Sequence, residues 1–123
     1  MIHRIGIPIT TLAIILAAAA ASAHHNNTRF DPEKHITLTG TLTKFDYRNP
    51  HIEFSVEVKG DQGQAESWII EGWPPNAFAL RKISKADFQK AVGQTVTAEA
   101  EPARDGSPRG HLRKITFPDG RST

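Results

Sequence analysis

Between Ile36 and Tyr47 the sequence alternates with a period of two and then slips by one residue. Ile36, Leu38, Gly40 and Leu42 share one parity, while Thr37, Thr39, Thr41 and Thr43 share the other. Alternation of apolar and β-branched polar residues is the chemistry of a half-buried strand. Phe45 and Tyr47 then fall on the Thr43 parity, so the core-facing set changes sides. One extra residue near Thr43 and Lys44, a β-bulge, restores it. The expectation is a long, bent first strand able to serve both sides of a small barrel.

The rest of the chain fits that expectation. Asn49-Pro50 breaks the strand, because proline lacks a backbone donor and holds the residue before it extended. A second strand over residues 52–58 points Ile52, Phe54, Val56 and Val58 inward and Glu53, Ser55 and Glu57 outward. A glycine-bearing turn leads to a third strand, Ala65–Glu71, which Gly72-Trp73-Pro74-Pro75 ends. One helical segment is expected over residues 76–92, with an N-cap pair Ser84 and Asp87 inside it and Gly93 as the stop. Strands over residues 95–101 and 109–117 follow. Three strands, a helical segment and two strands predict a mainly β, five-stranded OB-like barrel, whose closure removes exposed edges. Its expected core is Ile36, Leu38, Leu42, Ile52, Phe54, Val56, Trp68, Ile70, Val96 and Ile115.

Residues 1–23 have the anatomy of a signal peptide: Arg4, an apolar run from Leu12 to Ala21, and Ala21-Ser22-Ala23 at the end. Cleavage after Ala23 is expected, against the competing reading of an uncleaved anchor helix. The mature domain is then residues 24–123, opening with a polar arm over 24–34, and the protein is periplasmic or secreted. The chain has 15 Lys and Arg against 13 Asp and Glu. Removal of Arg4 leaves the domain near neutral, which argues against nucleic acid as a partner. No membrane attachment is expected after cleavage. There is no cysteine, which excludes disulfides, thiolate metal sites and a cysteine nucleophile.

Over the mature chain, the sequence resembles a family of small exported bacterial proteins of unknown function. The resemblance is carried by Ala23-His24-His25, Phe30-Asp31, Thr37-Leu38-Thr39-Gly40-Thr41-Leu42, Asn49-Pro50-His51, Trp68, Arg104-Asp105-Gly106-Ser107 and Asp119-Gly120-Arg121. Asn26 departs from the serine expected there. The resemblance implies an envelope protein of this size and no established activity. The chain is also similar to small periplasmic OB barrels, some of which bind copper while others bind exposed signals or partners.

The histidines carry the chemical hypothesis. After cleavage at Ala23, His24 becomes the first residue, so its free amine and imidazole can chelate one ion. An unperturbed α-amine has a pKa of about 8, so a metal displaces its proton easily at neutral pH. A second imidazole across the site gives the tetragonal nitrogen set that Cu(II) prefers. Candidate metal residues are therefore His24, His25, His51 and His111. Cleavage one residue earlier would give Ala-His-His, another Cu(II)- or Ni(II)-binding terminus. The competing reading is a solvated histidine tail, since the spacing matches no closed zinc pattern.

A non-catalytic alternative uses Tyr47, Trp73 and Arg104 to bind an envelope glycan or protein, with the aromatic rings as a stacking surface. Packing is the competing reading for each ring. The serines lack the Gly-x-Ser-x-Gly context of a nucleophile elbow, no glycine-rich phosphate loop follows a strand, and no enzyme is expected.

Overall fold

A computed structural model describes residues 29–123. The elements run β1 (Ile36–Asp46), β2 (Glu53–Lys59), β3 (Ala65–Glu71), α1 (Pro75–Leu80), α2 (Lys85–Ala91), β4 (Thr95–Pro102) and β5 (Arg109–Thr116). The five strands close into a barrel in the order β1-β2-β3-β5-β4, the OB-like class expected. Every pairing is antiparallel except β3 with β5.

β1 does what its phase slip requires. Its first half, Ile36 to Thr41, pairs with β4, and from Thr41 to Asp46 it pairs with β2. The register shifts between Leu42 and Lys44, where the hydrophobic parity changes. Leu42 keeps both backbone groups satisfied there: its N–H donates to the Gln94 carbonyl at 3.0 Å, and its carbonyl accepts from Gly93 at 2.8 Å. A Cβ on Gly40 would lie inside van der Waals contact of the Glu57 carbonyl oxygen, so glycine is what allows β2 to approach β1 at the bend. At the parallel seam, a Cβ on Gly110 would stand 2.9 Å from the Ala100 Cβ and 3.3 Å from the Ile70 Cδ1. Glycine there lets three strands converge.

Leu42, Ile52, Phe54, Val56, Ile70, Val96 and Ile115 are buried as expected, together with Phe78, Ile83, Phe88, Ala98, Ala100, Leu112 and Phe117. Phe88 is the hub, with Phe45, Tyr47, Phe54, Phe78 and Phe117 ring centroids all 5.2–5.9 Å away. Four residues depart from expectation. Ile36, Leu38 and Trp68 are only half-buried against the core; the first two lie on the part of β1 that precedes its pairing with β2. Ser55, expected outward, is 3% exposed; it sits between Lys44 of β1 and Ile69 of β3 in the sheet.

The helical segment is two short helices rather than one. Pro75 opens α1 at a position where a missing N–H costs nothing. The chain then turns through Lys82, whose φ is 59°, and restarts at Ser84. The Ser84 N–H and hydroxyl both donate to Asp87 Oδ2, at 2.8 and 3.0 Å, so the cap that looked internal is a true helix start. Among the described residues, no helix is long and apolar enough to cross a membrane.

Candidate functional site

The register of the barrel assembles a row of side chains from all five strands. Asp46 pairs with Glu53, Glu53 with Glu71, Glu71 with His111, and His111 with Glu101. Ile70, Gly110, Leu112 and Ala100, the sequence neighbours on the opposite parity, are buried. The row therefore runs around the outside of the barrel. Four carboxylates in one row repel one another unless each is balanced. Three have an arginine beside them: Arg48 Nε lies 2.7 Å from Asp46, Arg109 3.3 Å from Glu53, and Arg113 2.6 Å from Glu101, while Glu71 faces His51 Nδ1 at 3.4 Å, a partner that carries charge only when protonated. His111 Nδ1 also approaches Glu101, at 3.5 Å.

An open groove of about 280 Å³ lies over one part of this row, lined by Arg29, Arg48, His51, Glu53, Glu71 and Arg109, among others. The Asn49-Pro50-His51 turn forms one wall, and Arg29, where the described chain begins, contributes to the lining. The next residue, Phe30, is 8% exposed and stacks on His111 with ring centroids 5.7 Å apart. A bridge from Phe30 to Ala103 and a bond from the Asp31 N–H to the Pro102 carbonyl, 2.9 Å, dock this segment on the end of β4. A larger cleft, about 370 Å³, lies by α2 and the C-terminal turn. There Arg121 is tied to Asp87 and Asp119, and no histidine lines the cleft.

Of the four histidines expected to bind metal, His51 and His111 occupy neighbouring parts of this row, one facing Glu71 and the other paired with it across the seam. His24, His25 and the expected signal segment lie outside the described residues. Among the described residues, no group of three or more His, Asp or Glu side chains is arranged to hold a metal ion, so the barrel offers individual imidazoles rather than a complete cage.

The residues expected to read a partner divide between two places. Tyr47 and Trp73 are half-buried over the Phe78–Phe88 pair, Tyr47 edge-on to Phe88 at 5.9 Å and Trp73 5.2 Å from Phe78. Burial first, and then the Asp87 charge, push the Tyr47 hydroxyl pKa up. The Arg81 guanidinium lies 4.4 Å from the Trp73 ring centroid, a cation–π contact. Arg104 instead holds the docked arm: its N–H donates to the Arg29 carbonyl at 3.0 Å, and its guanidinium lies 3.9 Å from Asp31. Glu71 and Glu101 were missed in the sequence. The available signal was an acidic residue at the outward parity near the end of β3 and of β4.

A small, closed, five-stranded β-barrel with a mixed-charge outer row and a docked N-terminal arm is the class of protein defined here. The chain belongs to DUF6152, a family of unknown function, whose sequence profile matches residues 13–113. No curated protein matches it.

Proposed function

We propose that this protein is exported, is cleaved after Ala23, and serves in the cell envelope as a non-catalytic binding protein for one Cu(II) ion. In this reading the amine and imidazole of His24 chelate the metal, a barrel imidazole from His51 or His111 completes a T-shaped nitrogen set, and His25 stands by as a further donor.

The observation that carries the reading is where the arm is anchored. Arg29 lines the groove that holds His51, and Phe30 stacks on His111. Five residues of extended chain reach at most about 18 Å, so in this reading the stretch from His24 to Arg29 is long enough for the terminus to approach either imidazole. A preset anchor of this kind lowers the ordering cost of binding. One barrel ligand is sufficient, because a terminal histidine supplies two donors by itself.

Two measurements on protein recovered from the envelope test the reading together. Intact mass should correspond to a chain starting at His24, and the metal content should approach one copper per chain, removable by chelator. A chain that retains residues 1–23, or a processed chain that takes up no copper, would overturn it.

A further inference from the structure

We infer that the groove beside the Asn49-Pro50-His51 turn binds a short peptide with both ends free, about two residues long, taking its carboxylate on Arg109 and Arg29 and its ammonium on Glu71. Every group in this site belongs to the described residues, and none of it depends on bound copper.

The charges that line the groove do not cancel pair by pair. Arg48 and Asp46 close on each other at 2.7 Å, and Arg109 Nη2 reaches Glu53 Oε2 at 3.3 Å. Two groups are left over. Among the described residues, the ion-pair partner of Glu71 is His51 Nδ1 alone, at 3.4 Å, and that ring carries charge only when protonated. Arg29 has no carboxylate at ion-pair distance among the described residues. Asp105 feels its field, but that carboxyl is held below its ordinary pKa first by the Ser107 hydroxyl and N–H, at 2.6 and 2.9 Å. The lining therefore keeps one unmatched cation and one unmatched anion. A lone anion or a lone cation would leave one of them without a partner, whereas a zwitterion satisfies both.

Arg109 is the group best placed to grip a carboxylate. It opens β5 at the parallel seam with its backbone fixed on both sides: its N–H donates to the Ser107 carbonyl at 2.8 Å, and its carbonyl accepts from Ala103 at 3.0 Å. Among its side-chain donors, Nη2 is engaged by Glu53, while Nε is buried with no hydrogen-bond partner. An arginine left with unused donors is one whose surroundings lack an acceptor, and a ligand carboxylate supplies it. The planar guanidinium presents parallel N–H donors that match both carboxylate oxygens. Arg29 lines the same groove, its carbonyl pinned by the Arg104 N–H at 3.0 Å and its guanidinium beside the Phe30 ring.

The register sets the length of the ligand. Arg109 pairs with Ile69 and His111 with Glu71, so Arg109 and Glu71 are offset by two residues along the seam, about 7 Å at a strand's rise of roughly 3.3 Å per residue. The neighbouring charges of one amino acid fall short of that offset, while two extended residues span about 7 Å. A groove of about 280 Å³ suits a ligand of this small size.

The test is calorimetric titration, with chelator present, of the protein as recovered from cells and of its Arg29→Gln, Arg109→Lys and Glu71→Gln variants. Thermal melts confirm that every form is folded. The probes are L-alanyl-L-alanine, its N-acetyl derivative, its C-terminal amide, and L-alanine. Wild type should bind the dipeptide and bind each of the other three at least tenfold more weakly. Glu71→Gln should bind the dipeptide at least tenfold more weakly than wild type and lose the preference over the N-acetyl form, while keeping the preference over the amide. Arg29→Gln and Arg109→Lys should instead lose the preference over the amide. A general loss of stability would not exchange one preference for the other. No binding of the dipeptide by wild type, equal binding of any of the other three probes, or a Glu71→Gln protein that still prefers the free amine overturns the assignment. Because chelator is present throughout, none of these outcomes bears on the copper reading.

Discussion

The Phe30 ring lies on the His111 imidazole with centroids 5.7 Å apart and planes inclined by 30°, and this contact joins the N-terminal arm to β5. The Arg29 guanidinium sits 5.7 Å from the centroid of the Phe30 ring. Phe30 therefore contributes to the barrel's stability and also fixes where the preceding residues emerge.

Phe30→Ala should destabilise the protein by about 3 kcal/mol, near the lower end for a buried aromatic residue because the site lies at the surface end of β4. Chemical denaturation gives the value. Under the copper reading, the same variant should bind Cu(II) more weakly with an unchanged nitrogen count, since the ligands remain while the anchor is lost.

At the barrel's centre, Phe88→Ala should cost about 3–5 kcal/mol, because one ring serves five aromatic neighbours. Leu42→Ala, fully buried at the bulge, should cost about 2–5 kcal/mol. Leu38→Ala should cost less than either, since Leu38 is only partly buried against the core. Denaturant midpoints showing a larger loss for Leu38→Ala than for Leu42→Ala would contradict the burial described for the two halves of β1.

The features that were legible in the sequence were those with a local signature. The phase slip at Thr43 marked the bulge, and the alternation in β2 marked Phe54 and Val56 as core. The split of the helical segment was harder to read, because Phe78, Leu80, Ile83, Phe88 and Val92 keep a helical spacing across the Lys82 turn. Leu80 is in fact 85% exposed. Ser55 read as outward by alternation, and its burial comes from neighbours on two other strands. The outer row was illegible for the same reason: Glu71, Glu101 and His111 are distant in sequence and meet only through register, above all the three-residue parallel seam between β3 and β5. His51 and His111 could be named as candidates, but not their different partners.

Acid stability should report the contact between Arg121 and Asp87. The Ser84 N–H, and then the Arg121 guanidinium, hold the Asp87 carboxyl below its ordinary pKa. A depressed folded-state pKa stabilises the fold above the unfolded value, about 3.9 for aspartate, and the contribution is lost as pH falls through the folded value. Wild type should therefore lose stability below about pH 4 more steeply than Asp87→Asn, with Arg121→Ala between them. Equal pH slopes in urea melts of the three proteins would show that the contact contributes nothing in solution.

Trp73→Ala separates packing from partner recognition. The ring lies between Phe78 and Arg81, so its removal should lower stability by about 2 kcal/mol, less than full aromatic burial is worth. Copper affinity should stay unchanged, because Trp73 is not among the residues lining the His51 groove. Calorimetric titration of the variant with Cu(II) checks this, and a large loss of affinity would mean that the metal lies elsewhere.

The central claim is that a terminal histidine, delivered by the docked arm, makes the metal site. The direct measurement is Cu(II) affinity of the processed protein compared with the same protein carrying one additional Gly-Ser ahead of His24. The extension removes the free amine from His24 without touching the barrel, so affinity should fall by much more than tenfold, each decade corresponding to about 1.4 kcal/mol. Equal affinity in the two proteins would contradict the account.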